Sequence, residues 1–168
     1  LFRSAWSPDE TSLVSANEDG RLVIWDAQNG ELIILLDGHD APINGMAWSP
    51  DSKTLASSSQ DYQIKLWDIQ KKSASYAFAG TGPLVWNPDK DVLYFNHEGT
   101  LSSQAIIKNS QAKALASEPI YAILLSLSAD TKHLALINEH GFLLIIDSQT
   151  GKTEEVYTQY SLPITDIA

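Results

Sequence analysis

The sequence contains no cysteine. Disulfides, thiolate nucleophiles, cysteine-ligated zinc and iron–sulfur clusters are therefore excluded. Basic residues are few: 11 Lys and Arg face 21 Asp and Glu, for a formal net charge of -10. That balance repels phosphate backbones, so neither a nucleic-acid groove nor an anionic membrane surface is expected. Long apolar runs are lacking. The longest aliphatic stretch, Leu32 to Leu36, has five residues, far below the roughly 18 needed to span a bilayer. No charged start, apolar stretch and small-residue cleavage site opens the sequence, so a cytoplasmic location is the expectation. Nucleotide-binding glycine loops and a Gly-x-Ser-x-Gly elbow are missing as well. No stretch shows sustained helical periodicity with caps. What is present is 43% hydrophobic residues over 168 positions, enough to bury the core of one ordinary domain.

The sequence repeats itself. Trp-Ser-Pro-Asp occurs at 6–9 and again at 48–51, an offset of 42. Trp-Asn-Pro-Asp follows at 86–89, and Leu127-Ser128-Ala129-Asp130 is a weaker fourth copy. A second marker runs in step: Trp25-Asp26, Trp67-Asp68 and Ile146-Asp147, each 18 residues after Pro8, Pro50 and Ala129. Two markers in register define four units, about 1–38, 39–80, 81–117 and 118–160, with 161–168 as the start of a fifth.

Each unit reads as four short strands. In the second, Ile43 to Trp48 is apolar-rich and ends at the turn Ser49-Pro50-Asp51-Ser52. Thr54 to Ser58 stops at Gln60-Asp61, Gln63 to Trp67 alternates with period two, and Ser73 to Phe78 alternates weakly. The first unit has Leu1–Trp6, Ser12–Ala16, Arg21–Trp25 and Glu31–Leu36, with Asn29-Gly30 as a hairpin turn. The third and fourth follow with Val92–Phe95, Thr100–Ile106, His133–Ile137 and Phe142–Ile146. The chain is expected to be all-β. A lone four-stranded sheet cannot bury both faces, whereas radial stacking buries them and leaves only short edges. The period therefore predicts a β-propeller-type array of about four four-stranded antiparallel blades in a single domain over 1–168.

Gly38-His39, Trp48-Ser49-Pro50-Asp51, Leu55-Ala56-Ser57, Asp61 and Ile64-Lys65-Leu66-Trp67-Asp68 resemble, in order and spacing, the WD-repeat β-propeller family. The resemblance implies a non-catalytic scaffold that binds other proteins, with no cofactor. It also implies a buried hydrogen-bond network of His, Ser or Thr, Asp and Trp. In the second unit that would be His39, Ser57 (or Ser59), Asp61 and Trp67, and in the first Ser15, Asp19 and Trp25. The third unit has neither Gly-His nor Trp-Asp. In the fourth, His140 stands where the turn Asp belongs and Ile146 where the Trp belongs. These two units are expected to rest on apolar packing and to be less regular.

Four blades are fewer than the seven or eight the resemblance implies. Three outcomes follow: a partial ring within a longer protein, half of an eight-bladed ring closed by a homodimer, or a four-bladed ring.

Turns between second and third strands, and links between blades, share one rim of a propeller. Here they hold Glu18, Asp19, Asp37, His39, Asp40, Asp61, His97, Glu98, Glu118, Glu139 and His140. No Lys or Arg is expected among them, and Arg21 borders the set. The expected partner is a protein or peptide, possibly basic, docking on Glu18, Asp40, Asn44, Gln60, Tyr62, His97, Glu98, Tyr121 and His140. One alternative is a sensor or targeting portion of a larger signalling protein. Another is a metal-dependent enzyme built on His97-Glu98 and Glu139-His140.

Overall fold

A computed structural model describes residues 3–106, 110–115 and 119–157. Among the described residues every regular element is a strand. The first sheet runs β1 (Arg3–Trp6), β2 (Ser12–Ala16), β3 (Leu22–Asp26) and β4 (Leu32–Leu36). The second runs β5 (Ile43–Trp48), β6 (Thr54–Ser59), β7 (Gln63–Asp68) and β8 (Ser73–Ala79). The third comprises β9 (Thr81–Asn87), β10 (Val92–His97), β11 (Thr100–Ala105) and the two-residue β12 (Lys113–Ala114). The fourth comprises β13 (Ala122–Leu127), β14 (His133–Asn138), β15 (Leu143–Asp147) and β16 (Thr153–Tyr157). Within each sheet the strands lie side by side in chain order. These are four antiparallel meanders of the propeller type, one inside each sequence repeat. The expected fifth start at 161–168 lies outside the described residues.

The first turn of each sheet shows why the repeat carries Ser-Pro-Asp. Ser7 donates its hydroxyl to Asp9 at 2.6 Å and accepts the N–H of Ser12 at 3.0 Å. Ser49 repeats this with Asp51 and Thr54, and Ser128 with Asp130 and His133. The weak fourth copy thus builds the same turn without Trp or Pro, because the Ser and Asp oxygens do the work. In the third sheet Asn87 takes over and accepts the N–H of Asp89 at 2.9 Å.

The chain divides into two compact units, residues 1–86 and 87–168. In the first, Val14, Ala16, Leu22, Ile24, Ile34 and Leu36 of the first sheet share a core with Ile43, Trp48, Leu55 and Trp67 of the second. Alternation puts these side chains on facing surfaces, and burial of each large one stabilises by about 1.5–3 kcal/mol. Trp48 donates its indole N–H to Ala5 O at 3.3 Å, pinning the second sheet to the first. Gly45 lets β5 approach β9, since a Cβ there would meet Gly82 O at 2.7 Å and Leu84 N at 2.8 Å.

In the second unit Leu93, Phe95, Leu101, Leu134, Leu136 and Ile146 are fully buried. Apolar packing is not the whole account, contrary to expectation. Buried Asn96 donates to Ala122 O at 2.7 Å and accepts the Ala122 N–H at 3.0 Å. The Tyr94 hydroxyl donates to Ser148 O at 3.1 Å. Among the described residues the third sheet ends in the two-residue β12, while the fourth has four full strands with register shifts at Ala122/Leu124 and Ile145/Ile146. Isolated polar residues can link sheets wherever they meet exposed backbone groups, which a repeat motif does not encode.

Candidate functional site

Four side chains of the second repeat meet beneath its rim. β6 carries Ser57, β7 carries Trp67, the link before β5 carries His39, and the β6–β7 turn carries Asp61. The Trp67 indole N–H donates to Ser57 Oγ at 2.8 Å. Ser57 Oγ lies 2.8 Å from His39 Nε2, and His39 Nδ1 lies 2.8 Å from Asp61 Oδ2. One proton arrangement satisfies every group. Trp67 donates to Ser57, Ser57 donates to His39 Nε2, and His39 Nδ1–H donates to ionised Asp61. Protonating His39 would set its new N–H against the serine proton inside a buried site. Burial indeed lowers the His39 pKa below 6.5, outweighing the upward pull of Asp61. Burial also acts on Asp61, pushing its pKa up. Donation from His39 and from the N–H groups of Gln63 and Asp40 reverses this, leaving it below 3.8.

Of the two serines parity left open, Ser57 joins the network. Ser59 instead donates to Ala41 O at 2.8 Å and accepts the Asp61 N–H at 3.1 Å, bracing the link and the turn. Sequence reasoning did not separate them, because both lie on the same face of β6.

Asp61, His39 and Ser57 have the connectivity of an acid–base–nucleophile triad. Two facts oppose that chemistry. Ser57 is completely buried, and its oxygen already accepts the Trp67 N–H. No carbonyl carbon can approach Oγ without dismantling the sheet.

The first repeat keeps part of the arrangement. Trp25 donates to Ser15 Oγ at 2.8 Å. Asp19 accepts the Arg21 N–H at 3.1 Å, as Asp61 accepts that of Gln63 at 2.9 Å. In the fourth repeat Ile146 is buried in place of the Trp. His140 does not close the turn there. Asn138, which sequence reasoning missed, accepts the N–H groups of His140 at 3.0 Å and Phe142 at 2.9 Å. An Asn at the end of the second strand was the available signal.

In the first unit the rim loops are contiguous. A Cβ on Gly20 would meet His39 O at 2.5 Å and Ala41 O at 2.9 Å. Asp40 N donates to Asp61 Oδ2 at 3.2 Å. The turn with Glu18 and Asp19 therefore abuts the link with Asp40, which abuts the turn with Gln60, Asp61 and Tyr62. Glu18, Asp40, Gln60 and Tyr62 are exposed. Asn44 is half-buried and its amide donates to Thr81 Oγ1 at 3.0 Å, so it serves the fold.

The expectation of a rim without cations needs correction. Arg21 lies 3.4 Å from Asp19 and 3.5 Å from Asp37, and Lys65 Nζ donates to Gly38 O. Arg21 stands at the turn before β3, and the Lys65 side chain is long enough to reach the rim from β7.

In the second unit Glu98 and His140 are exposed, while His97 and Tyr121 are half-buried. His97 lies 3.9 Å from Glu98, and His140 lies 3.7 Å from Glu139. Each pair is local. Among the described residues no three His, Asp or Glu side chains gather in a group able to hold a metal ion. Glu118 lies outside the described residues.

Residues 3–26 and 30–68 match the family model described as WD domain, G-beta repeat. No curated protein matches the chain in sequence. Among solved structures, the β-propeller domain of Cps50 (Swd1) from Myceliophteria thermophila is similar, with a TM-score of 0.83 and 22% identity. The match covers 96% of this chain and 56% of that one, so the chain spans little more than half of that propeller. At this identity the likeness speaks for the fold. The first two sheets thus match WD-type repeats, and all four sheets share the antiparallel meander of a β-propeller fold.

Proposed function

We propose that the chain is a non-catalytic interaction scaffold that docks a protein or peptide partner on the rim of its first unit. One observation carries the reading. The buried groups capable of chemistry are spent on one another, His39 on Ser57 and Asp61, and Ser57 on Trp67. The network's product is a rigid pair of rim loops, and those loops present Glu18, Asp40, Gln60 and Tyr62 to solvent. Networks of this kind fix geometry more than they add stability.

The rim favours a basic partner. Arg21 offsets Asp19 and Asp37, but the carboxylate of Asp40 adds negative charge in a chain of net charge -10. Complementary charge sets orientation and on-rate more than affinity.

The test is affinity capture from a cell extract with the wild-type chain and with Glu18→Lys/Asp40→Lys. Asp40 meets Asp61 through its backbone N–H, so the substitution leaves that bond in place. The wild type is expected to retain a partner that the variant loses, with retention falling as salt rises. Equal capture by both chains, or capture indifferent to salt, refutes the rim as the docking site.

A further inference from the structure

The outermost strand of each sheet is an edge, and an unprotected edge is a template for pairing with another strand. Three of the four edges here carry protection. Among the described residues β12 has two residues, β16 carries Glu154 and Glu155 beside exposed Val156 and Tyr157, and β8 presents the small side chains Ala74, Ser75 and Ala77 beside Tyr76, after Lys71 and Lys72. The edge β4 is different. Its five residues are all aliphatic, and Leu32, Ile33 and Leu35 are 55%, 39% and 53% exposed.

The repeats show that this exposure belongs to the position. Opposite Trp25, Trp67 and Ile146, each outer strand bulges by one residue, at Ile33, Ser75 and Glu154 respectively. In register, Leu32, Ile33 and Leu35 correspond to Ala74, Ser75 and Ala77. The second sheet is packed against the first, yet Ala74, Ser75 and Ala77 remain exposed. Covering the face of the first sheet would leave β4 equally open. An aliphatic, uncharged edge exposed in this way is an aggregation hazard unless something occupies it.

We infer that β4 is a docking edge for an extended aliphatic segment of a partner protein, added as a fifth strand and basic at its ends. Half of the backbone N–H and C=O groups of an edge strand point outward and would supply the ladder. Leu32, Ile33 and Leu35 would supply apolar contact. The polarity of the flanks comes from exposed Glu31 and Asp37, which bracket the strand, with Asp37 also 3.5 Å from Arg21. This surface is separate from the rim, and its test is independent of the rim reading.

The probe is a blocked, fluorescein-labelled peptide, Arg-Val-Thr-Val-Thr-Val-Arg, titrated by anisotropy into the 168-residue chain. Saturable binding is expected. Leu32→Lys/Leu35→Lys should weaken it at least tenfold, while Val156→Lys on β16 leaves it unchanged. Leu35→Thr, which keeps β propensity, should weaken it in the same direction, so misfolding of the lysine variant cannot imitate the result. A peptide with Gly and Ser between the two arginines should bind at least tenfold more weakly. Several results overturn the inference. One is absence of binding, and another is equal affinity of the β4 variants. Equal affinity of the Gly/Ser peptide would reduce the site to charge alone. Self-association that Leu35→Lys abolishes, without peptide binding, would make a second copy of the chain the occupant.

Discussion

Removing the Ser57 hydroxyl gives a quantitative test of the buried network. Ser57→Ala deletes one oxygen from a fully buried position. Two partners are orphaned, the Trp67 indole N–H and His39 Nε2, each 2.8 Å from Oγ in the native chain. Neither can turn to water, because Trp67 and His39 are 2% and 4% exposed. Each buried unsatisfied group costs about 1–3 kcal/mol, so roughly 3 kcal/mol is expected for the pair. In a chain of this size that corresponds to a fall in Tm of about 6–12 °C. Urea unfolding followed by tryptophan fluorescence should show a lower midpoint at unchanged slope. The first repeat supplies the control. Ser15 also accepts from a tryptophan, Trp25, but that indole is half-buried and no His joins it. Ser15→Ala should therefore cost about 1 kcal/mol. A double-mutant cycle of Ser57→Ala with Trp67→Phe should show about 1 kcal/mol of coupling, since the second change removes one orphan. If Ser57→Ala costs no more than Ser15→Ala, or if the cycle is additive, the cooperative network is refuted.

Acidification should destabilise the second sheet by two routes of the same sign. His39 has a folded pKa below 6.5, so its contribution is complete above pH 6.5 and declines as the unfolded chain takes up a proton below it. Asp61 has a folded pKa below 3.8, so its contribution is lost as pH falls from that value through the folded one. The urea midpoint should fall between about pH 7 and 5, and His39→Gln should flatten that slope. Gly45→Ala forces a Cβ against Gly82 O, Leu84 N and Ser58 Oγ, all within 2.9 Å. It should cost about 1–3 kcal/mol by thermal melt; a neutral result would show that β9 moves freely. Tyr62 has a φ of 61°, whereas the corresponding turns of the first and fourth sheets use Gly20 at 85° and Gly141 at 80°. Tyr62→Gly should stabilise the fold by about 1 kcal/mol while weakening partner capture. A loss of stability on that change would show the tyrosine to be a packing residue.

The sequence alone determined the architecture. A period near 42 residues, with Ser-Pro-Asp and Trp-Asp in register, fixes turn oxygens at equivalent points of the units and indole rings at equivalent points of the first two. Turn chemistry and period-two alternation are local, so they are legible without coordinates. The network members His39, Asp61 and Trp67 came with the motif, and Ser57 came as one of two serines. Tertiary structure decided what depends on distance between segments. It chose Ser57 over Ser59, put Asn138 in the turn that His140 was expected to close, and sent Arg21 across to Asp19 and Asp37. It also bound Asn96 to Ala122 across 26 residues of chain. Hydrogen bonds and ion pairs form where side chains of sufficient reach meet unpaired groups. Which groups remain unpaired is known only once the sheets have packed.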